Sequence, residues 1–474
     1  MSRADLVSLL PHLVLALGAV LVMMVIAVRR THFMVYVLTC LTLVAALYFL
    51  PDIETLPHEV GVLFVVDGLG VFNTALIVLA ALAVAVMSYA YFDSREERTG
   101  EYYVLFILAT FGGCIMVISG HFASFFLGLE ILSVSLYGMI AYLRKRERSD
   151  EAGIKYLILA AFSSAFLLFG MALIYAATGD MTFSGLSGYF SAFDELPLLV
   201  TAGLGLVVVG AGFKLSVVPF HMWTPDVYEG APSPVAAFIS TVSKGATMIL
   251  LVRFFIAIDG FRFPVVLTLF TVISIASMVV GNILALRQQN VKRILAYSSI
   301  AHFGYLLVAF IAADELGVEA VNFYLMAYFA TMLGAFGVVT VLSDGERDAE
   351  HLDDYRGLLW KRPGLATVFV VTLLSLAGIP LTAGFVAKFY LLASGVGTNQ
   401  WLLVILLVVN SIVGLFYYIR IIAVMFDSAK EGELRPAGYV GNLAALLILA
   451  FLLVWFGVSP QGIIEVIRGL VSVG

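Results

Sequence analysis

Long apolar runs separated by short polar segments make up most of the chain. A helix needs about 20 mostly apolar residues to cross the hydrocarbon core of a membrane. Such a run is expected to be helical in lipid, because a helix satisfies its own backbone hydrogen bonds. The pattern predicts an all-α polytopic membrane protein with about 14 transmembrane helices and a short amphipathic tail. The predicted spans lie near residues 5–28, 32–50, 68–91, 102–119, 122–143, 154–178, 197–223, 235–258, 264–286, 291–312, 319–343, 365–395, 401–426 and 439–459.

The basic residues of the loops predict an orientation, because cytoplasmic loops carry an excess of Lys and Arg. The even-numbered loops hold only Arg262. The odd-numbered loops hold 18 basic residues: Arg29, Arg30, Arg95, Arg98, Arg144, Lys145, Arg146, Arg148, Lys155, Arg287, Lys292, Arg293, Arg347, Arg356, Lys361, Arg362, Lys430 and Arg435. We therefore expect the odd-numbered loops in the cytoplasm and both termini outside, which agrees with an even number of spans.

The composition excludes an ordinary soluble protein. Hydrophobic residues make up 62% of the chain and charged residues 12%, with a mean hydropathy of +1.05, whereas soluble domains contain about 25% charged residues. Cys40 and Cys114 lie in apolar runs with no partner at metal-ligand spacing. No dinucleotide, P-loop or haem-attachment motif is present in the sequence. We therefore expect no metal and no cofactor on this chain, and any redox chemistry on other subunits.

Charged residues inside predicted spans are the strongest functional signal. The spans contain Glu130 and five basic residues: Lys214, Lys244, Arg253, Lys388 and Arg420. A charge at the centre of a membrane costs about 2.5–3.5 kcal/mol on insertion scales, and such residues mark ion or proton pathways. Lysine suits proton transfer because burial disfavours its charged form and a nearby carboxylate favours it, whereas arginine stays protonated.

The predicted roles follow from these properties. Glu130, Lys214, Lys244 and Lys388 are predicted proton-transfer groups, although Glu130 could be no more than a structural partner of a lysine. For His302, a proton relay and a structural hydrogen bond between helices remain equally open. Arg253 and Arg420 lie near span ends, where snorkelling or structural pairing is expected.

Helix breakers accompany two of the lysines. Pro219 follows Lys214 in span 7, and Gly378 and Pro380 precede Lys388 in span 12. Broken helices occur at the ion sites of many transporters, although unrelated proline kinks are also common in membrane helices. Two broken spans of opposite direction suggest inverted five-helix repeats over spans 4–8 and 9–13. The corresponding division of the chain is 1–100 for spans 1–3, 101–258 and 259–426 for the repeats, and 427–474 for span 14 and the tail.

Several motifs resemble the antiporter-like membrane subunits of respiratory complex I. They are GFKLSVVPFHMWTPDVYEGAPSPVAAFISTVSKGA, NVKRILAYSSIAHFGYLL and LAGIPLTAGFVAKFYLL, together with residues 151–179. The resemblance runs from about residue 60 to 430 and is nearest to the subunit N branch of bacterial NADH-quinone oxidoreductase. Lys388 stands where subunit M has a glutamate, and the chain lacks the long lateral helix that extends subunit L.

The resemblance implies a mechanism. Quinone reduction elsewhere in the complex would change the spacing of a Glu130–Lys214 pair and drive a proton through Lys244 and His302 to Lys388. It also implies that FMN, iron–sulfur clusters and quinone lie on partner subunits, and that this chain neighbours other membrane-arm subunits in the bacterial inner membrane.

Two alternatives remain open: an Mrp-type Na⁺/H⁺ antiporter subunit, which shares the fold and the charged residues, and a membrane subunit of a hydrogenase relative. Residues 151–179 favour complex I. A purely structural membrane anchor is disfavoured, because an anchor does not need three buried lysines.

Overall fold

The computed structural model describes residues 2–52, 55–95, 98–428 and 440–471. Lys430 and Arg435, two of the basic loop residues, lie outside the described residues. The described helices are α1 Arg3–Ser8, α2 Leu10–Val28, α3 His32–Tyr48, α4 Gly68–Asp93, α5 Gly100–Val117, α6 Phe122–Ile140, α7 Glu147–Thr178, α8 Phe183–Ser191, α9 Leu198–Leu215, α10 Trp223–Gly230, α11 Ser233–Phe238, α12 Lys244–Ala257, α13 Pro264–Leu286, α14 Val291–Ala312, α15 Glu315–Leu342, α16 Leu358–Lys361, α17 Pro363–Ala377, α18 Ala383–Gly397, α19 Trp401–Phe426, α20 Val440–Val458 and α21 Gln461–Val471. A π-helical segment, Ile239–Ser243, joins α11 to α12, and short 3₁₀ segments lie at Gly260–Arg262 and Leu352–Tyr355.

The described part of the chain has the predicted number of spans. Twelve helical segments are long and apolar enough to cross a membrane. The 17-residue helix α3 supplies one more, and the interrupted pair α17 and α18 supplies the last. The prediction of a nearly all-helical, multi-pass membrane protein is therefore confirmed. The assignment of two inverted repeats stays a prediction.

A small β-hairpin is the one described element of another kind. Strand β1, His58–Val60, pairs antiparallel with β2, Phe64–Val66, so that Glu59 lies opposite Val65. The backbone N–H of Val65 also donates to the carbonyl of Ile118 at 2.8 Å. The hairpin therefore covers the end of α5. The apolar pattern missed it because the strands are only three residues long.

The helices that carry Lys244 and His302 lie at the centre of the bundle. In the span Ser233–Ala257, every residue of the most apolar stretch is buried, and the buried share of the corresponding stretch is 94% in α14 and 89% in α15. By contrast, only 22% of the corresponding stretch in Gly441–Val458 is buried. A buried stretch needs polar partners from protein, since no lipid atom can supply them. The central helices therefore determine which polar side chains can meet.

A buried ion cluster joins the odd-numbered loops on one side of the bundle. The carboxylate of Asp348, 1% exposed, lies 2.8 Å from Lys292 Nζ, 3.2 Å from a guanidinium nitrogen of Arg95 and 3.3 Å from one of Arg146. It also accepts a hydrogen bond from Ser233 Oγ at 2.9 Å. We call these residues the Asp348 cluster. It brings loops 3, 5, 7, 9 and 11 to the same side, which agrees with the predicted alternation of loops.

Candidate proton-transfer site

The first broken helix ends immediately after its lysine. Helix α9 ends at Leu215, and Ser216 adopts a left-handed conformation with φ of 62°. The N–H of Val217 donates back to the carbonyl of Gly212 at 3.0 Å, and the indole of Trp223 donates to the carbonyl of Phe213 at 3.0 Å. The helix therefore stops four residues before Pro219, which lies within the break. The freed backbone groups are satisfied by protein, as a membrane interior requires.

At the second broken helix, the carbonyl groups at the end of the first half accept hydrogen bonds from a lysine. Helix α17 ends at Ala377, and Gly378 is left-handed with φ of 81°. A Cβ at Gly378 would lie 2.8 Å from Lys388 Cδ, so glycine is needed both for the conformation and for the approach of the lysine. Pro380 lies between α17 and α18. The amine of Lys388 donates to the carbonyls of Leu376 and Ala377, each at 2.9 Å.

Lys214 is buried among hydroxyl groups. Its Nζ donates to Ser133 Oγ at 2.6 Å and lies 3.3 Å from the hydroxyl of Tyr156. Glu130, one helical turn before Ser133, instead accepts a hydrogen bond from Ser164 Oγ at 2.5 Å. Among the described residues, no ion pair of 4.0 Å or less joins Glu130 to Lys214. Because Glu130 and Ser133 are one turn apart on α6, the carboxylate lies in the neighbourhood of the amine without contacting it.

Lys244 is fully enclosed, with 0% exposure. Its Nζ donates to Ser299 Oγ at 2.7 Å, and the same oxygen accepts a hydrogen bond from Tyr328 at 2.8 Å. The amine also faces the rings of Tyr228 at 5.5 Å and Phe303 at 5.2 Å, within the range of a cation–π interaction. The π-helical segment ends at the residue before Lys244. Such segments are frequent at functional sites.

His302 connects the Lys244 region to the Lys388 region. One ring nitrogen is hydrogen-bonded to Tyr324 at 2.7 Å and the other to Tyr418 at 3.1 Å. A cavity of about 10 Å³, lined by His302 and Lys388 among others, lies between the two residues. This is room for about one water molecule. Lys388 Nζ further donates to Ser411 Oγ at 2.8 Å.

The two arginines have structural partners. Arg253 forms a two-pronged ion pair with Asp67, with N–O distances of 2.7 and 2.6 Å. Arg420 donates to the carbonyls of Leu286 and Gln288 at 3.0 and 2.5 Å, which closes the end of α13. Both contacts are those expected of structural pairing. Neither arginine contacts the three lysines.

The structure thus adds a set of hydroxyl groups that the sequence analysis did not single out. Each of the three lysines donates to at least one of them: Ser133, Tyr156, Ser299 and Ser411. Serine and tyrosine in membrane helices are too common to identify these members from sequence. The described residues include no cluster of three or more side chains able to hold a metal ion.

Comparison with known proteins identifies the family. Residues 119–414 match the family described as NADH:quinone oxidoreductase/Mrp antiporter, TM. The chain is 46% identical to NADH-quinone oxidoreductase subunit N of Ectopseudomonas mendocina, over 98% of this chain and 96% of that protein.

Solved structures agree with this assignment. A chain of respiratory complex I from Thermus thermophilus, solved with bound aureothin, is 31% identical, with a TM-score of 0.84 over 97% of this chain and 99% of that chain. A chain of the Mrp complex from Dietzia has the same TM-score of 0.84 at 22% identity, over 100% of this chain and 97% of that chain, which shows a shared fold alone. The chain therefore belongs to the NADH-quinone oxidoreductase subunit N family of antiporter-like membrane proteins.

Proposed function

We propose that the chain carries protons through the membrane arm of an NADH:quinone oxidoreductase. The observation that carries the proposal is that Lys214, Lys244 and Lys388 are buried and that each amine donates to neutral oxygens. A neutral oxygen can hydrogen-bond to an amine in either protonation state, whereas a carboxylate in contact favours the charged form. Such lysines are suited to gain and lose a proton.

The order of the groups supports a route within the membrane plane. Glu130 lies in the neighbourhood of Lys214, and Lys244 contacts Ser299, which also binds Tyr328. The ring of His302 lies 5.6 Å from that of Tyr328, and the small cavity separates His302 from Lys388. In the proposed cycle Glu130 and Lys214 set the charge of the first site. Lys244 and His302 pass the proton on, and Lys388 releases it.

The proposal extends to partners and location. By analogy with its relatives, the chain would lie among other membrane-arm subunits in the inner membrane of a bacterium, with both termini outside. FMN, iron–sulfur clusters and quinone would belong to partner subunits, and NADH oxidation there would supply the free energy. Glu130 is only partly buried in the isolated chain, which supports a neighbouring protein at this face, because a carboxylate facing lipid is costly.

Two experiments test the proposal. In the first, native membranes are solubilised gently and the protein is purified through a tag on this chain. The purified sample is then assayed for NADH:quinone reductase activity and for flavin and iron–sulfur signals. Copurification supports the proposal. Recovery with other membrane subunits and no redox centres would favour the antiporter alternative, and Na⁺/H⁺ exchange would then be measured.

The second experiment is Lys214→Ala in the assembled complex. We expect proton translocation and quinone reductase turnover to fall about tenfold, or ~1.4 kcal/mol in activation free energy. Lys145→Ala, at an exposed loop position, is the control. A Lys214→Ala complex that assembles and pumps at the normal rate and proton-to-electron ratio would show that the assigned role is wrong.

A further inference from the structure

Helix α10 lies between the first two lysines, with one end near each of them. At its beginning, the ring of Trp223 packs against that of Tyr156 at 4.9 Å, and Tyr156 is a partner of Lys214. Near its end, the ring of Tyr228 lies 5.5 Å from Lys244 Nζ. The helix has only eight residues. It is therefore a short connection between the Lys214 and Lys244 sites.

Two buried hydroxyls lie on this helix, one turn apart. Thr224 and Tyr228 are both 0% exposed, and residues four apart share one face of a helix. Among the described residues, the Thr224 hydroxyl has no hydrogen-bond partner, and the Tyr228 hydroxyl forms no hydrogen bond of ordinary geometry although two serine hydroxyls lie near it. Buried polar groups are nearly always hydrogen-bonded, to protein or to ordered water. Two buried hydroxyls without well-formed hydrogen bonds on one face of α10 therefore indicate a polar track rather than ordinary packing.

The surroundings of Tyr228 extend this track towards Lys244, and the contact of Trp223 with Tyr156 extends it towards Lys214. The hydroxyls of Ser240 and Ser299 lie beside that of Tyr228. Ser299 is the hydrogen-bond partner of Lys244. Resting on the proposed function, we infer that Thr224 and Tyr228 bridge the Lys214 and Lys244 sites and carry the proton between them.

The transfer conserves protons and charge. A protonated Lys214 gives up one proton towards Thr224 and Tyr228 and becomes neutral. Each hydroxyl forms a new O–H bond on one side as its original O–H bond breaks on the other, so it stays neutral overall. The last proton reaches the neutral amine of Lys244, which becomes charged. The hydroxyls then rotate back before the next transfer. Water molecules between these groups would take part in the same way.

A purely structural role predicts a different result from the same variants. The ring of Tyr228 packs edge-on against Phe336 at 5.8 Å, and this contact does not need the hydroxyl. Tyr228→Phe keeps the ring and removes only the oxygen, and Thr224→Val keeps the branched shape. Tyr102→Phe is the matched control, because Tyr102 is a 0% exposed tyrosine whose hydroxyl binds Ser88, away from the three lysines.

The test is made on the whole complex in inverted membrane vesicles, with NADH-driven proton uptake and quinone reduction normalised to the amount of assembled complex. We expect Tyr228→Phe to lower turnover about tenfold, or ~1.4 kcal/mol, and to raise the ratio of rates in H₂O and D₂O. Thr224→Val, which leaves the tyrosine in place, should lower turnover less and raise the same ratio. Tyr102→Phe should change neither quantity.

The inference and the proposed function fail in different ways. Normal turnover and a normal isotope ratio in both α10 variants, together with a defective Lys214→Ala complex, would overturn the inference alone. Normal behaviour in Lys214→Ala as well would overturn both. If Tyr228→Phe does not assemble, the isotope ratio of Thr224→Val decides: a raised ratio supports the bridge and an unchanged ratio overturns it.

Discussion

Two regions of this protein each hold three basic side chains, with different partners. In the Asp348 cluster, Lys292, Arg95 and Arg146 surround one carboxylate. The three lysines of the proposed proton route contact hydroxyl and carbonyl oxygens instead. Burial does not separate the regions, because Lys292 and Lys244 are both 0% exposed.

The partner of a buried cation, and not its burial, therefore indicates its role. A carboxylate in direct contact favours the charged form of a base. The basic residues of the cluster therefore stay charged and hold the loops together. Neutral oxygens leave an amine able to exist in both forms. The Asp348 cluster should therefore contribute to stability, and the lysine route to turnover. Each prediction below tests this division.

The largest effect is expected from Asp348→Asn. The change leaves the buried cations Arg95 and Lys292 and the half-buried Arg146 without their carboxylate. Removing one partner of a buried ion pair typically destabilises a protein by about 3–5 kcal/mol, a large part of total stability. Native gel electrophoresis of the membranes should show little assembled complex. Asp353→Asn is the control, since Asp353 is 73% exposed in its pair with Arg356. Normal assembly of Asp348→Asn would contradict the structural role of the cluster.

The next effect comes from replacing two equally buried lysines, Lys244 and Lys292, by methionine. Lys244→Met should leave assembly largely intact, because an apolar side chain of similar length is tolerated there, and should lower turnover about tenfold or more. Lys292→Met should instead reduce assembly, since it opens the ion cluster. Quinone reduction per assembled complex is the measurement. Similar results for the two variants would remove the distinction between the regions.

A smaller effect is expected from Arg420→Ala. Its guanidinium caps the carbonyls of Leu286 and Gln288, and loss of such charged hydrogen bonds costs about 1.5–3 kcal/mol. The variant should assemble less well at raised temperature, with a normal proton-to-electron ratio in the complex that does form. A pumping defect with normal assembly would show that Arg420 belongs to the proton route.

The smallest effect concerns pH. Burial by itself would raise the pKa of Asp348, but the charges of Lys292, Arg146 and Arg95 lower that pKa well below its usual range. The stabilisation is therefore present above the unfolded pKa of about 4 and is lost only as the pH falls through the lower folded value. Because the charge of Asp348 does not change between about pH 5 and about pH 8, the cluster should cause no change in assembly of the purified complex over this range. A loss of assembly between these values that is absent in the small amount of Asp348→Asn complex that still forms would contradict the pairing.

The class of protein, the number of spans and the positions of the buried lysines could be predicted from the sequence alone. These depend on local properties: apolar length, loop charge and single residues that are costly in lipid. The breaks near Lys214 and Lys388 could also be predicted, although α9 ends at Leu215 before its proline is reached.

The contacts of each charged residue, in contrast, depend on how the helices pack in the folded chain. Lys214 meets Ser133, 81 positions away, rather than Glu130, and His302 meets Tyr418, 116 positions away. The Asp348 cluster draws its members from five loops. Hydrogen bonds act over about 3 Å, so the packing of helices distant in the chain determines these partners. The composition of any one span does not encode them.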